Sequence, residues 1–203
     1  MSYKEFTLAS LQETFQIELR ENTSLFAEVV SVTPPELLVQ LFSDYVPLAT
    51  AIDTEKARSE FIIAPLLAYI RRLTNQQISI FSGIDFSIDA SRGLNGVCDF
   101  LISLSPEQLY VKSPVMTVVE AKNDRISQGI PQCIAEMLAV DLFNQAKQQS
   151  IAPIYGVVTT GSLWKFLAMV PPRVSIDRDE YHISDLGKIL GIFLHMLGKT
   201  AAE

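Results

Sequence analysis

Along this chain, stretches whose apolar residues recur every three to four positions alternate with stretches whose apolar residues recur every second position. That order predicts the architecture. Leu8, Leu11, Phe15 and Leu19 recur at helical spacing and predict an amphipathic helix over Phe6–Arg20. Pro34-Pro35 starts a second helix, Pro34–Tyr45, with Leu37, Leu38, Leu41 and Phe42 as its apolar face. A longer helix is predicted from about Thr54 to Leu73, capped by Asp53 or Thr54 and kinked at Pro65.

Strand-like runs follow at Ile78–Ile88, Val97–Leu104 and Val115–Lys122. Between them lie the turn Ala90–Gly96 and a turn region Ser105–Ser113, with a short extended piece about Leu109–Val111. Ser127 is placed to cap a helix reaching about Gln149. Ile130, Ile134, Met137, Leu138 and Leu142 form its core stripe, and Gln128, Gln132 and Glu136 line a neighbouring face. Ile154–Thr160 and Leu163–Val170 read as strands on either side of Gly161-Ser162, and Val174–Tyr181 adds a short one. A helix over Asp185–Leu197 closes the chain, with Gly198 as its stop. The sequence of elements predicts a mixed α/β fold, a central sheet flanked by helices. One domain is expected over 1–203, with 1–52 an N-terminal helical elaboration, 54–170 the core and 171–203 a final strand and helix.

Composition narrows the picture. With 203 residues, 48% hydrophobic and 19% charged, the chain can bury a globular core. No run reaches the ~18 apolar residues of a membrane span. Its first residues, MSYKEFTLAS, hold no apolar signal core, so a cytoplasmic location without membrane contact is expected. Cys98 and Cys133 lie within strand-like and helix-like runs without metal spacing and read as reduced core residues. A net charge of −7 weighs against a surface that grips nucleic acid unaided.

Two of the strands nevertheless carry charge where a buried strand should have none. Side chains in a strand repeat every two residues, so Val118, Glu120 and Lys122 share one face, and Asp99 shares a face with Val97 and Leu101. If these strands pair, Asp99, Glu120 and Lys122 converge at one end of the sheet. Two carboxylates brought together repel unless a proton or cation sits between them. Hard oxygen ligands with open positions suit Mg²⁺ or Mn²⁺. Glu60, by itself, reads as a charged helix-edge residue pairing with Lys56 across one turn.

Taken in order, Glu60 on a helix, Gly96-Val97-Cys98-Asp99, Glu120-Ala121-Lys122 and Gln132 on the next helix resemble the PD-(D/E)XK nuclease superfamily. The similarity is to the divergent, restriction-endonuclease-like branch that includes the N-terminal nuclease domain of type I restriction enzyme R subunits. The run Val157–Phe166, VVTTGSLWKF, also looks like the strand pair that follows the motif helix there, and the resemblance spans about residues 54–170. It implies an αβββαβ core, with Asp99 and Glu120 as metal-binding acids for Mg²⁺ or Mn²⁺. It implies that Lys122 orients the attacking water and neutralises phosphoryl oxygens. Glu60 would assist the metal or its waters, and Gln132 would be a polar residue beside the site. Cys98 stands where the name-giving proline would be, a departure from the pattern.

The implied activity is metal-dependent hydrolysis of phosphodiester bonds, in DNA before RNA. A catalytically silent module of the same fold that binds or regulates a partner protein is the alternative. A homodimer is a further expectation, since two copies could cut both strands, and so is a protein partner from a restriction or repair system. Arg71-Arg72, Arg92, Lys112 and Arg125 sit in or beside loops that could flank the site, though each singly reads as ordinary solubilising charge, and Trp164 could stack a base but reads first as a core or edge aromatic. Gly93-Leu94-Asn95-Gly96 lacks the lysine and helix of a phosphate-binding loop, which leaves a small-molecule enzyme without support.

Overall fold

The computed structural model describes residues 2–122 and 125–199. Among these, eight strands form a single mixed sheet. They are β1 (Glu18–Thr23), β2 (Ser79–Asp85), β3 (Val97–Ser103), β4 (Val115–Ala121), β5 (Ile154–Thr159), β6 (Leu163–Val170), β7 (Arg173–Asp177) and β8 (Tyr181–His182). Across the sheet the order is β1-β7-β6-β5-β4-β3-β2, with β8 beside β6. β4 and β5 run parallel, joined through helix α5 (Ile126–Ala146), because parallel neighbours need a crossover. β1 and β7 are also parallel, and the remaining neighbours are antiparallel.

The helices divide between the two faces. Helices α2 (Glu36–Ile52), α4 (Ala64–Leu73) and α6 (Leu186–Met196) cover Phe100, Ile102, Val119, Val157 and Phe166. α5 and the short α1 (Leu8–Phe15) cover Leu101, Val118, Val158 and Leu167. The expected mixed α/β architecture, a central sheet flanked by helices, is therefore present.

Close contact between α5 and the sheet has identifiable causes. A Cβ at Gly156 of β5 would lie 2.5 Å from Met137 Sδ and 2.6 Å from Cys133 Sγ, so only the bare backbone admits the helix there. At the far end of α5, the buried Asn144 receives the Val115 N–H at 2.9 Å and donates to the Val115 carbonyl at 2.7 Å. One side chain thus ties the start of β4 to the last turns of α5 and fixes how the helix sits along the strand.

Several elements differ from the sequence expectation. The first helix ends at Phe15, with Gln16 left-handed (φ 54°), and Glu18–Thr23 joins the sheet edge as β1 where a helix to Arg20 was expected. α2 continues through Pro47 to Ile52. The long helix predicted to kink at Pro65 is instead divided ahead of it. A short helix α3 (Glu55–Arg58), capped by the Thr54 side chain on the Ala57 N–H, runs into a π turn, Ser59–Ile63, and then into α4. In that turn the Ala64 N–H reaches back to the Ser59 carbonyl, which widens the helix just before the proline that has no N–H to give. Ser127 lies inside α5, which begins at Ile126 and has no side-chain cap. Leu109–Val111 forms no strand.

Asn144→Ala leaves the Val115 N–H and carbonyl in a dry environment without that partner. We expect it to lower unfolding free energy by about 2–4 kcal/mol in urea denaturation, since each orphaned buried group costs about 1–3 kcal/mol. A loss within error of zero would show that the tie carries no weight.

Candidate active site

Residues from three parts of the chain meet where β4 ends. The ladder between β3 and β4 pairs Phe100 with Val119, and the next residues outward are Asp99 and Glu120. There the Asp99 carboxylate accepts the Ala121 N–H at 2.8 Å. β4 stops at Ala121, and Lys122 stays tethered to β5 by its own N–H on the Thr159 carbonyl at 2.8 Å. The ammonium of Lys122 then folds back onto Glu120 Oε1 and also reaches Gln132 Oε1 at 3.2 Å. Asp99, Glu120, Lys122 and Gln132 are thus brought together at one sheet end.

Glu136, which the sequence reading placed on the helix face beside Gln132 without assigning it a role, completes the cluster. It lies one turn further along α5, is fully buried, and accepts the Gln132 Nε2 donor at 3.0 Å. One oxygen of each acid, Glu120 Oε2 and Glu136 Oε2, is buried with no hydrogen-bond partner among the described residues. Two buried acids whose charges act on one another call for a proton or a cation beside them. Burial, and then the Glu120 charge, raise Glu136 well above the usual carboxylate range, which favours its protonated form. Burial, with Asp99 next, pushes Glu120 up to about 7. For Lys122, burial favours the neutral amine, but the charge and hydrogen bond of Glu120 outweigh it and the pKa is raised. Lys122 is therefore an ammonium at neutral pH, suited to holding negative charge and not to removing a proton.

Glu60 is brought near Asp99 but not to the Glu120–Lys122 pair. It shares with Asp99, Lys56, Ser59, Ser82 and Ala121 a depression of about 240 Å³. Its carboxylate is bonded to Lys56 Nζ at 2.6 Å, one helical turn away, as its surroundings in sequence suggested. The larger depressions, about 810 and 590 Å³, lie along the 29–35 segment beside α6 and α2, and contain none of these residues.

The basic residues whose loops could flank the site divide between the two ends of the sheet. Lys112 lies in the β3–β4 connection at the opposite end of the sheet, and Arg71 is bonded to the Ile78 carbonyl just before β2, also at that end. Arg92 lies between β2 and β3 on the site's side, where it pairs with Asp89, and Arg125 is exposed at the start of α5. Trp164 is buried and donates to the Gly161 carbonyl at 2.9 Å, which makes it a core residue.

Asp99 and Glu120 offer hard oxygens from paired strands, and Glu120 is the member of its carboxyl pair that ionises. That donor set fits Mg²⁺ or Mn²⁺ held by two carboxylates, with water or phosphate oxygens filling the other positions. Among the described residues no three carboxylates, imidazoles or thiols form a ready-made cage. No helix among them is long and apolar enough to cross a membrane. No family model, curated protein or solved structure matches this chain.

In the folded chain Glu120 keeps its proton up to about 7, against an ordinary value of 4.5, and Glu136 is raised in the same direction. The folded state therefore holds more protons than the unfolded one above 4.5, and stability falls as pH rises through 7. We expect unfolding free energy to drop by about 1–3 kcal/mol between pH 5 and pH 8. Glu136→Gln should flatten this slope and be the more stable protein at pH 8. An unchanged slope in that variant would contradict the assignment.

Proposed function

We propose that this chain is a Mg²⁺- or Mn²⁺-dependent phosphodiesterase of the PD-(D/E)XK type, acting on DNA before RNA. The observation that carries the reading is the meeting of Asp99 and Glu120 on neighbouring strands with the Lys122 ammonium held against Glu120 and Gln132. In this reading the β2–β3–β4–α5–β5 succession corresponds to the nuclease core, and β1, β7, β8 and the flanking helices are additions to it.

Asp99 and Glu120 would hold the cation, which lowers the pKa of a bound water and polarises the scissile phosphate. Asp99 is oriented for this by the Ala121 N–H, which takes one of its oxygens and leaves the other free to turn outward. Glu120 needs to be ionised to bind a cation, and its proton leaves near neutral pH. Lys122, positively charged and held beside Glu120, would stabilise negative charge that develops on the phosphoryl oxygens. Glu60 borders the depression next to Asp99 and could accept from waters there once it leaves Lys56.

A second reading, a silent module of this fold that binds or regulates a partner protein, is favoured by the net charge of −7. Paired copies would pool weak binding surfaces, and a partner from a restriction or repair system would offset the acidic charge of this chain.

Plasmid and oligonucleotide cleavage separates the two. We expect Mn²⁺- or Mg²⁺-dependent cutting of DNA, with Lys122→Ala lowering the rate about 10²–10³-fold, as for loss of one charge-stabilising donor. Asp99→Ala should abolish it. No cutting of single- or double-stranded DNA or RNA with either ion would leave the binding-module reading.

Calorimetric titration of Mn²⁺ tests the metal alone. Wild type should give a saturable heat that Glu120→Ala loses, and equal heats from both would remove Glu120 from the site.

A further inference from the structure

The hydrogen bonds around Lys122 form a chain with a direction. An amide can present either its oxygen or its NH₂ group to a neighbour, and what it bonds on the other side decides which. Gln132 is nearly buried, so water does not decide it. Its Nε2 is engaged by Glu136 Oε1 at 3.0 Å, which leaves Oε1 pointing at the Lys122 ammonium, 3.2 Å away. Turned over, the same amide would press an NH₂ group against a cation. The stem of the lysine is confined as well. A Cβ on Gly129, in the first turn of α5, would stand 2.6 Å from Val158 Cγ1, 3.1 Å from Lys122 Cγ and 3.2 Å from Lys122 Cε, so the bare backbone there makes room for both β5 and the lysine stem.

We propose that Glu136 is a positioning residue for Lys122, acting through the Gln132 amide, with Gly129 supplying the groove for the lysine stem. Glu136 touches neither the solvent nor the depression beside Asp99, and its effect is indirect. By holding the Gln132 oxygen toward the ammonium, it gives Lys122 a second partner beside Glu120. The ammonium is then fixed between two acceptors instead of one, at the place where negative charge would develop. The consequence for rate rests on the phosphodiesterase reading, whereas the geometry does not.

The test uses the full chain and two readouts. Lys122 is partly accessible, with 17% of its side chain exposed, so acetic anhydride labelling followed by peptide mass spectrometry reports how firmly its amine is held. Glu136→Leu removes the acceptor, and Glu136→Gln keeps an oxygen for Gln132. We expect Lys122 labelling to rise several-fold in Glu136→Leu, with other lysines unchanged, and to stay near wild type in Glu136→Gln. In Mn²⁺-dependent DNA cleavage, Glu136→Leu should lose about 10–100-fold in kcat with KM unchanged, the range seen when a supporting partner is removed. Glu136→Gln should recover most of it. Unchanged Lys122 labelling in a folded Glu136→Leu protein would overturn the proposal, as would equal kcat in the two variants. If wild type cleaves nothing, the phosphodiesterase reading fails, and labelling alone then decides the positioning role. Should Glu136→Leu not fold, Glu136→Met, with a more adaptable side chain, takes its place in both measurements.

Discussion

Glu120 sits 1% exposed at the end of an otherwise apolar strand, against a second buried acid and a lysine. Taking an ion pair out of water costs several kcal/mol per charge, and the attraction between the partners offsets that only when the remaining lone pairs and protons are satisfied. Here the satisfying groups come from different parts of the chain: Asp99 on β3, Lys122 after β4, and Gln132 and Glu136 on α5. Apolar residues at these positions would have packed with less penalty. A cluster that is expensive to bury, assembled from separate elements at one end of a sheet, is the kind of arrangement that chemistry requires and folding alone does not.

The surrounding fold positions that cluster through close packing. Parallel pairing of β4 with β5 brings α5 across both strands, and Gly156 lets it approach without a side chain in the way. Asn144 pins the other end of the helix to Val115. α5 is consequently buried on much of its surface, and its polar residues Gln132 and Glu136 find their partners in Lys122 and each other. On the opposite face the π turn at Ser59–Ile63 adjusts the helix before Pro65 and carries Glu60 to the depression that Asp99 also lines. A site held by strands and a long helix keeps its geometry better than one built on loops.

The parts of this design that were legible in the sequence are those with strong local periodicity. β3, β4, β5 and β6 show apolar runs bounded by turn residues, and period-two alternation alone puts Asp99, Glu120 and Lys122 near one another if the strands pair. β1 was hidden because Leu19 continues the helical spacing of Leu8, Leu11 and Phe15, while the residues of Glu18–Thr23 are otherwise polar, as an edge strand permits. The helix stop at Gln16 is a left-handed residue with no glycine to announce it. Glu136 is visible in the Gln128, Gln132, Glu136 row beside the core stripe, but spacing alone gives that row no role. Only the approach of α5 to β4 shows that its last two members are buried and its first is not. Lys112 and Arg71 could not be placed from sequence either, because the end of the sheet at which a loop emerges depends on strand direction and order.

Anomalous scattering from crystals grown with Mn²⁺ tests the central claim most directly. The account predicts a peak at bonding distance from a carboxylate oxygen of Asp99 and one of Glu120, with the Lys122 ammonium nearby and still held by Gln132. A well-diffracting crystal with no manganese between those two acids, or with manganese bound only elsewhere, would contradict it.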